Sequence, residues 1–306
     1  MIICVGEILA DMTGRTCHGH MEFACFAGGA PFNVACCLKK LGAVCGFCGS
    51  VGQDAIGNFL VETAKKQQFD YLYLQREKER NTTLAFVEVD GAGERTFSFY
   101  RKNTADAYLP QAEISRIVRL SDIVHIGSLP LSSTHGREFT DELIACAHAC
   151  GKKVSFDVNY RSDVFSCEEE AVWLYRKYIE AADIVKFSEE ELPMFAEGAS
   201  QEERLRKVAG AHKTVLLTLG SRGSMLCAAG NICCAPAAAV QKIEDTNGAG
   251  DAFMAGVLAS IDGDQTDPNV VLRMGNACGA LAVSQKGAYP EWSKEDAAAL
   301  TKELDA

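Results

Sequence analysis

A carboxylate set directly behind a glycine turn, where a helix begins, can take a proton next to a bound phosphate. Residues 245–251 read Asp-Thr-Asn-Gly-Ala-Gly-Asp and run straight into the apolar stretch Ala252-Phe253-Met254-Ala255-Gly256-Val257-Leu258-Ala259. Gly248 and Gly250 allow a sharp turn with no Cβ in the way. Successive N–H groups of Gly248, Ala249 and Gly250 then point ahead of the helix, where the macrodipole favours negative charge. A site built only to hold phosphate has no use for Asp251 at its mouth, since like charges repel, so a base for phosphoryl transfer is the chemical reading. The bland alternative is an acidic N-cap on a tight loop. The sequence contains no Walker loop, and Phe253 occupies the place of the third glycine in a dinucleotide-binding turn.

A second glycine-led helix start lies at Gly28-Gly29-Ala30-Pro31-Phe32-Asn33-Val34-Ala35, with Pro31 where a first-turn proline is tolerated. Asn33 offers both a donor and an acceptor, which suits sugar hydroxyls; it is equally a capping or solvent residue. Asp11 reads as an acceptor just past the first strand, or as a plain turn residue. Three cations follow or sit in strand-like runs: Arg101, Arg161 after Asp157-Val158-Asn159-Tyr160, and Lys186 within Ile184-Val185-Lys186-Phe187. Lysine in an apolar strand is costly to bury without a partner, which points to function. For Asp157, Asn159 and Arg161 a purely structural network is the leading alternative. The turn Thr218-Leu219-Gly220-Ser221-Arg222-Gly223 is suitably placed for a nucleotide, although glycine there can simply make the turn.

The elements that must position these residues follow an α/β rhythm. Ile123-Val124-His125-Ile126, Val154-Ser155-Phe156, Ile184 to Phe187 and Val215 to Leu219 read as buried strands. They alternate with amphipathic helices such as Arg137 to Cys150 and Glu168 to Ala182. That predicts a mostly parallel sheet covered on both faces, with ligand-bearing loops at its C-terminal edge. Two segments break the rhythm: Thr82 to Val89 and Arg95 to Arg101 flank Asp90-Gly91-Ala92-Gly93-Glu94 as a β-hairpin, and Met12 to Phe26 is rich in β-formers. Together they predict a small extra sheet, a lid over about 12–27 and 82–103, within a single domain spanning 1–306. Exposed aromatics such as Phe97 and Phe99 suit pairing with a second subunit.

With 306 residues, of which 48% are hydrophobic, the chain can bury a large core. A net charge of −11 argues against nucleic acid and anionic membranes as partners. The N-terminus has no basic leader and no stretch reaches membrane-spanning length, so the expected location is cytoplasmic. Fourteen cysteines scattered through apolar segments are expected to be reduced core residues, Cys45-Gly46-Phe47-Cys48 included. His18-Gly19-His20 lacks a third metal ligand.

Gly28-Gly29 with Asn33, followed far downstream by Asp245 to Asp251, resembles the two signatures of the ribokinase-like (PfkB) carbohydrate kinases over essentially the whole chain. Gly6-Glu7-Ile8-Leu9-Ala10-Asp11, Phe99-Tyr100-Arg101 and His125-Ile126-Gly127-Ser128 are similar to the fructokinase branch in particular. The resemblance implies a ribokinase-like three-layer α/β/α sandwich with a β lid that often dimerises, ATP as donor and Mg²⁺ on its phosphates. By position it implies Asp251 as base with Gly248, Ala249 and Gly250 cradling the phosphoryl group. Asp11, Gly28, Gly29, Asn33 and Arg101 would hold the sugar. Arg161, Lys186, Thr218, Gly220, Gly223 and Asn276 would lie along the nucleotide, with Arg161 also in reach of the acceptor. Glu191 would act on Mg²⁺ through water, and a monovalent cation (K⁺) would sit near Asp245. Asn247, Val158 and Ser188 depart from the commoner residues of the family's motifs.

The expected activity is therefore ATP-dependent phosphorylation of a sugar hydroxyl, with D-fructose as acceptor. An acid sugar such as 2-keto-3-deoxygluconate is the nearest rival, since Arg101 and Arg161 could pair with its carboxylate. A non-catalytic sugar or nucleotide sensor is a rival of a different class, and a Rossmann oxidoreductase a more distant one.

Overall fold

The computed structural model describes residues 1–17, 19–89, 95–285 and 287–303. Its strands are β1 (Ile2–Val5), β2 (Leu9–Cys17), β3 (His20–Gly28), β4 (Cys45–Gly52), β5 (Tyr71–Glu77), β6 (Leu84–Val89), β7 (Arg95–Tyr100), β8 (Ile123–Ile126), β9 (Lys153–Asp157), β10 (Ile184–Ser188), β11 (Thr214–Thr218), β12 (Ser224–Ala228) and β13 (Asn231–Ala235). The helices are α1 (Ala30–Lys40), α2 (Ala55–Lys66), α3 (Ile114–Leu120), α4 (Thr134–Ala149), α5 (Glu168–Ala181), α6 (Leu192–Phe195), α7 (Gln201–Ala209), α8 (Ala249–Asp262), α9 (Pro268–Val283) and α10 (Lys294–Glu303).

A nine-stranded sheet runs in the order β13-β12-β11-β10-β9-β8-β1-β4-β5. From β11 to β5 every pairing is parallel, and β12 and β13 close one edge as antiparallel strands. Alternation along each strand divides the core into two layers. Ile3, Val5, Val154, Phe156, Val185 and Phe187 pack against α3 to α7, while Ile2, Cys4 and Ile184 face α1, α2, α8, α9 and α10. With helices on both faces, the central strands are buried on both sides, His125, Ser155, Asp157 and Lys186 included.

The second sheet has the order β3-β2-β6-β7. Strands β2 and β3 are antiparallel, β2 and β6 parallel, and β6 and β7 antiparallel. The expected hairpin partners are thus paired, while the connecting turn at 90–94 and His18 lie outside the described residues. One correction concerns Asp11. Instead of standing just past the first strand, it lies inside β2, which begins at Leu9, only a few residues after Gly6 breaks the chain from β1. Cys45-Gly46-Phe47-Cys48 is the start of buried strand β4, and Cys45 and Cys48 are free thiols. Among the described residues no helix is long and apolar enough to cross a membrane, and no group of three His, Cys, Asp or Glu side chains could hold a metal.

Candidate active site

The C-terminal ends of β1, β8, β9 and β10 border a cavity of about 330 Å³, closed on one side by the first turns of α1 and α8 and on another by the small sheet. Sheet ends of this kind are where open α/β folds bind ligands.

Helix α8 starts at Gly248, whose φ of 76° is left-handed and whose Cβ, if present, would overlap the carbonyl of Ala288. Glycine is therefore required there on both conformational and steric grounds. No side chain caps this helix start, and the space over Gly250 opens onto the Lys186 ammonium, 3.2 Å from where a Cβ would stand. A helix start without a side-chain cap, set beside a buried cation, makes a pocket that fits an oxyanion. Helix α1 begins at Gly29 with Pro31 in its first turn, and this brings Asn33 to Asp251. Asn33 Nδ2 donates to Asp251 Oδ2 at 2.8 Å, and Asn33 Oδ1 is buried without a partner. The amide thus keeps an acceptor for an incoming hydroxyl.

Burial pushes the Asp251 carboxyl up to about 6. The Asn33 bond, Lys186 and Arg161 pull it down, and Asp157 pushes it further up. It is thus mostly ionised at neutral pH, with a proton affinity well above that of a solvated aspartate, as a general base requires. Lys186 and Asp157 are direct neighbours in the β9–β10 register, on the sheet face toward α8. Lys186 Nζ donates to both carboxylate oxygens at 2.9 Å, with both side chains buried. Burial opposes the lysine's charge, but Asp157, Glu191 and Asp251 outweigh it and hold its pKa above the ordinary value.

Of the residues singled out in the sequence, Asp11, Gly29, Asn33, Arg161, Lys186, Gly248, Gly250 and Asp251 line this one cavity. Gly28 lies behind Asp11, and Ala249 is the first residue of α8. Asp157 is paired with Lys186 rather than serving only as a partner for Arg161. Arg101 does not line the cavity. Its Nε donates to buried Asp106 at 2.6 Å and its Nη1 to Ser132, and it borders an adjacent cavity of about 590 Å³. Phe99, expected on an exposed face, instead packs with Leu9, Ala85 and Leu129 and reaches the first cavity.

The remaining candidates stand outside the first cavity. Thr218 donates to the Phe187 carbonyl, and Gly220 and Gly223 both have left-handed φ in the turn that follows. Asn276 is occupied by Ser224, Ala235 and Pro236, tying α9 to the antiparallel edge of the sheet. Glu191 accepts the backbone N–H of Tyr160 and of Ser188, each at 2.7 Å, and so joins the ends of β9 and β10. Asp245 accepts from the backbone of Asn247 and Gly287. Sequence reasoning missed Glu7 and Leu129 as lining residues and gave Asn159 only a part in a structural network. Asn159 has a left-handed φ of 37°, a strained conformation of the kind that gathers at functional sites, but nothing in its sequence context signals it.

A pocket that fits an oxyanion, a buried carboxyl of raised pKa and an amide with a spare acceptor at the edge of a parallel sheet suit phosphoryl transfer to a hydroxyl group. The model of the pfkB family carbohydrate kinases matches residues 1–295. The fructokinase of Vibrio alginolyticus is 34% identical over 267 residues, covering 85% of this chain and 86% of the relative. Similar solved structures include a fructokinase from Xylella fastidiosa with bound ATP, with TM-score 0.87, 30% identity, and coverage of 100% of this chain and 99% of that one. Another is the fructokinase from Vibrio cholerae O395 in a fructose, ADP and calcium ion bound form, with TM-score 0.85, 31% identity, and 98% of each chain covered. The chain belongs to the pfkB family of carbohydrate kinases. It is a transferase acting on a sugar hydroxyl, fructokinase-like in its relationships, and its architecture is the ribokinase-like sandwich.

Proposed function

We propose that this enzyme transfers the γ-phosphoryl group of ATP to a primary hydroxyl of D-fructose, with Asp251 as general base. The observation that carries this reading is the Asp251 carboxylate, raised to about 6, bonded to Asn33 and set at the mouth of the α8 pocket beside buried Lys186. Asp11, Gly28, Gly29, Asn33 and Arg161 hold the sugar. Asp251 takes the hydroxyl proton as the sugar oxygen bonds to phosphorus and the bond to the ADP oxygen breaks. The N–H groups at Gly248, Ala249 and Gly250, together with Lys186, face the charge on the transferring group, so catalysis is mostly positioning and electrostatics.

Thr218, Gly220, Gly223 and Asn276 border the nucleotide. Mg²⁺ bound with ATP would neutralise phosphate charge, and Glu191 would act on it through water. A K⁺ ion near Asp245 would stiffen the loop that Asp245 braces. The small sheet, over about 12–27 and 82–103, serves as a lid that excludes water. Met21, Phe23, Phe26 and Tyr100 are exposed on it and suit a homodimer contact.

A neutral acceptor is favoured over an acid sugar because Arg101 is already neutralised by Asp106. A coupled ADP-release assay over neutral and acidic sugars, with Asp251→Ala as control, tests the reading. Fructose should give the highest kcat/KM, and the variant should lose at least about a hundredfold in kcat while still binding ATP. Full turnover by Asp251→Ala would remove the assigned base, and ATP binding with no sugar-dependent ADP release would leave a sensor.

A further inference from the structure

Glu7 sits in the connection between β1 and β2. It is fully buried, and neither carboxyl oxygen has a hydrogen-bond partner on another residue. Glu7 is nevertheless one of the residues lining the sugar cavity, together with Asn33 and Asp251. The space it occupies exists because residue 127 is glycine: a Cβ there would overlap Glu7 Oε2 and crowd Pro31. A buried polar group with no protein partner is costly unless something else answers it.

The charged groups that face Glu7 are Asp106 from the turn before α3, Arg101 from the end of β7, and Asp251 from α8. Burial raises the Glu7 carboxyl to about 8. Its own backbone N–H and Arg101 act the other way, and Asp106 and Asp251 reinforce the rise. At neutral pH the side chain is therefore an uncharged acid with one donor and one acceptor. An ionised Glu7 would also place a second negative charge near Asp251, where an alkoxide has to develop.

We propose that Glu7, as the neutral carboxylic acid, is a specificity residue that donates a hydrogen bond to an oxygen of the bound acceptor sugar. It would complete a set with Asp11, Asn33 and Arg161 that recognises a polyhydroxy compound. The proposal rests on the cavity being the sugar site. The lost donor upon ionisation makes acceptor affinity, rather than ATP affinity, the quantity that fails at alkaline pH.

The test measures acceptor KM, ATP KM and kcat between pH 6 and pH 9.5 for the wild type, Glu7→Gln and Glu7→Leu, with thermal unfolding of each. In the wild type, acceptor KM should stay level to about pH 8 and then climb, approaching about tenfold per pH unit as the protonated form disappears. Glu7→Gln keeps a donor and cannot titrate, so its acceptor KM should show no alkaline climb. Glu7→Leu should raise acceptor KM by about tenfold or more at every pH and leave ATP KM within about twofold. An alkaline climb that survives in Glu7→Gln, or a Glu7→Leu enzyme with wild-type acceptor KM, overturns the role. Should Glu7→Leu fail to fold, the wild-type and Glu7→Gln profiles still decide. A wild type that phosphorylates no sugar would instead bring down the parent reading and this one with it.

Discussion

Replacing Lys186 with Met separates what the β9–β10 ion pair does for stability from what it does for catalysis. Lys186 and Asp157 have side-chain exposures of 7% and 5%, and the ammonium bonds both carboxylate oxygens at 2.9 Å. Removing one partner of such a pair leaves a buried charge unanswered, at a cost of about 3–5 kcal/mol. For a chain of this size that is a fall in Tm on the order of 10 °C. Asp251 also loses a cation that holds its proton affinity down while Asp157 still pushes it up, so the acid limb of kcat should move above about 6.

The lost cation at the phosphate pocket should lower kcat by about a hundredfold to a thousandfold. The informative companion is the double variant Asp157→Asn with Lys186→Met, which removes both charges. Thermal unfolding should show most of the stability restored, while coupled ADP release stays low. If the single variant unfolds within about a degree of wild type, the pair does not hold the sheet edge. If the double variant regains activity, Lys186 only neutralises Asp157 and does not face the phosphate.

In the wild type, kcat should fall about tenfold per pH unit below about 6 as Asp251 takes up a proton, and a level profile down to pH 5 would exclude that carboxyl as the base. Because its folded pKa lies above the unfolded 3.8, ionising Asp251 costs stability, and the cost sets in as pH rises from 3.8 through about 6. Asp251→Asn should therefore gain about 1–3 kcal/mol against urea at pH 7.5 while losing activity, and an unchanged midpoint would mean the carboxylate is not desolvated. Gly248→Ala imposes a left-handed alanine whose methyl overlaps the Ala288 carbonyl, so the start of α8 must shift, lowering both Tm and kcat. A wild-type rate from that variant would show that transfer does not depend on this turn.

Much of this architecture is written locally. Ile123–Ile126, Lys153–Asp157, Ile184–Ser188 and Thr214–Thr218 are short runs dense in β-branched or apolar residues, bounded by polar or glycine residues. Gly248 and Gly29 meet backbone conformations that only a few residues around them impose, so both helix starts can be found without the fold. Asp11 was harder to place, since Gly6 marks the end of β1 but nothing local says that a new strand begins at Leu9.

The amino-acid sequence alone determined the elements, the two glycine-led helix starts and the base candidate, because each depends on contacts within a few positions along the chain. Only the tertiary structure decided which charges share a low dielectric. Strands buried on both faces hide the parity that turns Lys186 and Asp157 toward α8, and sheet order brings Asn33 to Asp251 across 218 positions. Glu7 differs from a surface glutamate through burial against Gly127 and through Asp106, Arg101 and Asp251, all distant in the chain. Solvent exclusion at these groups is a property of the packed molecule, and no stretch of sequence carries it.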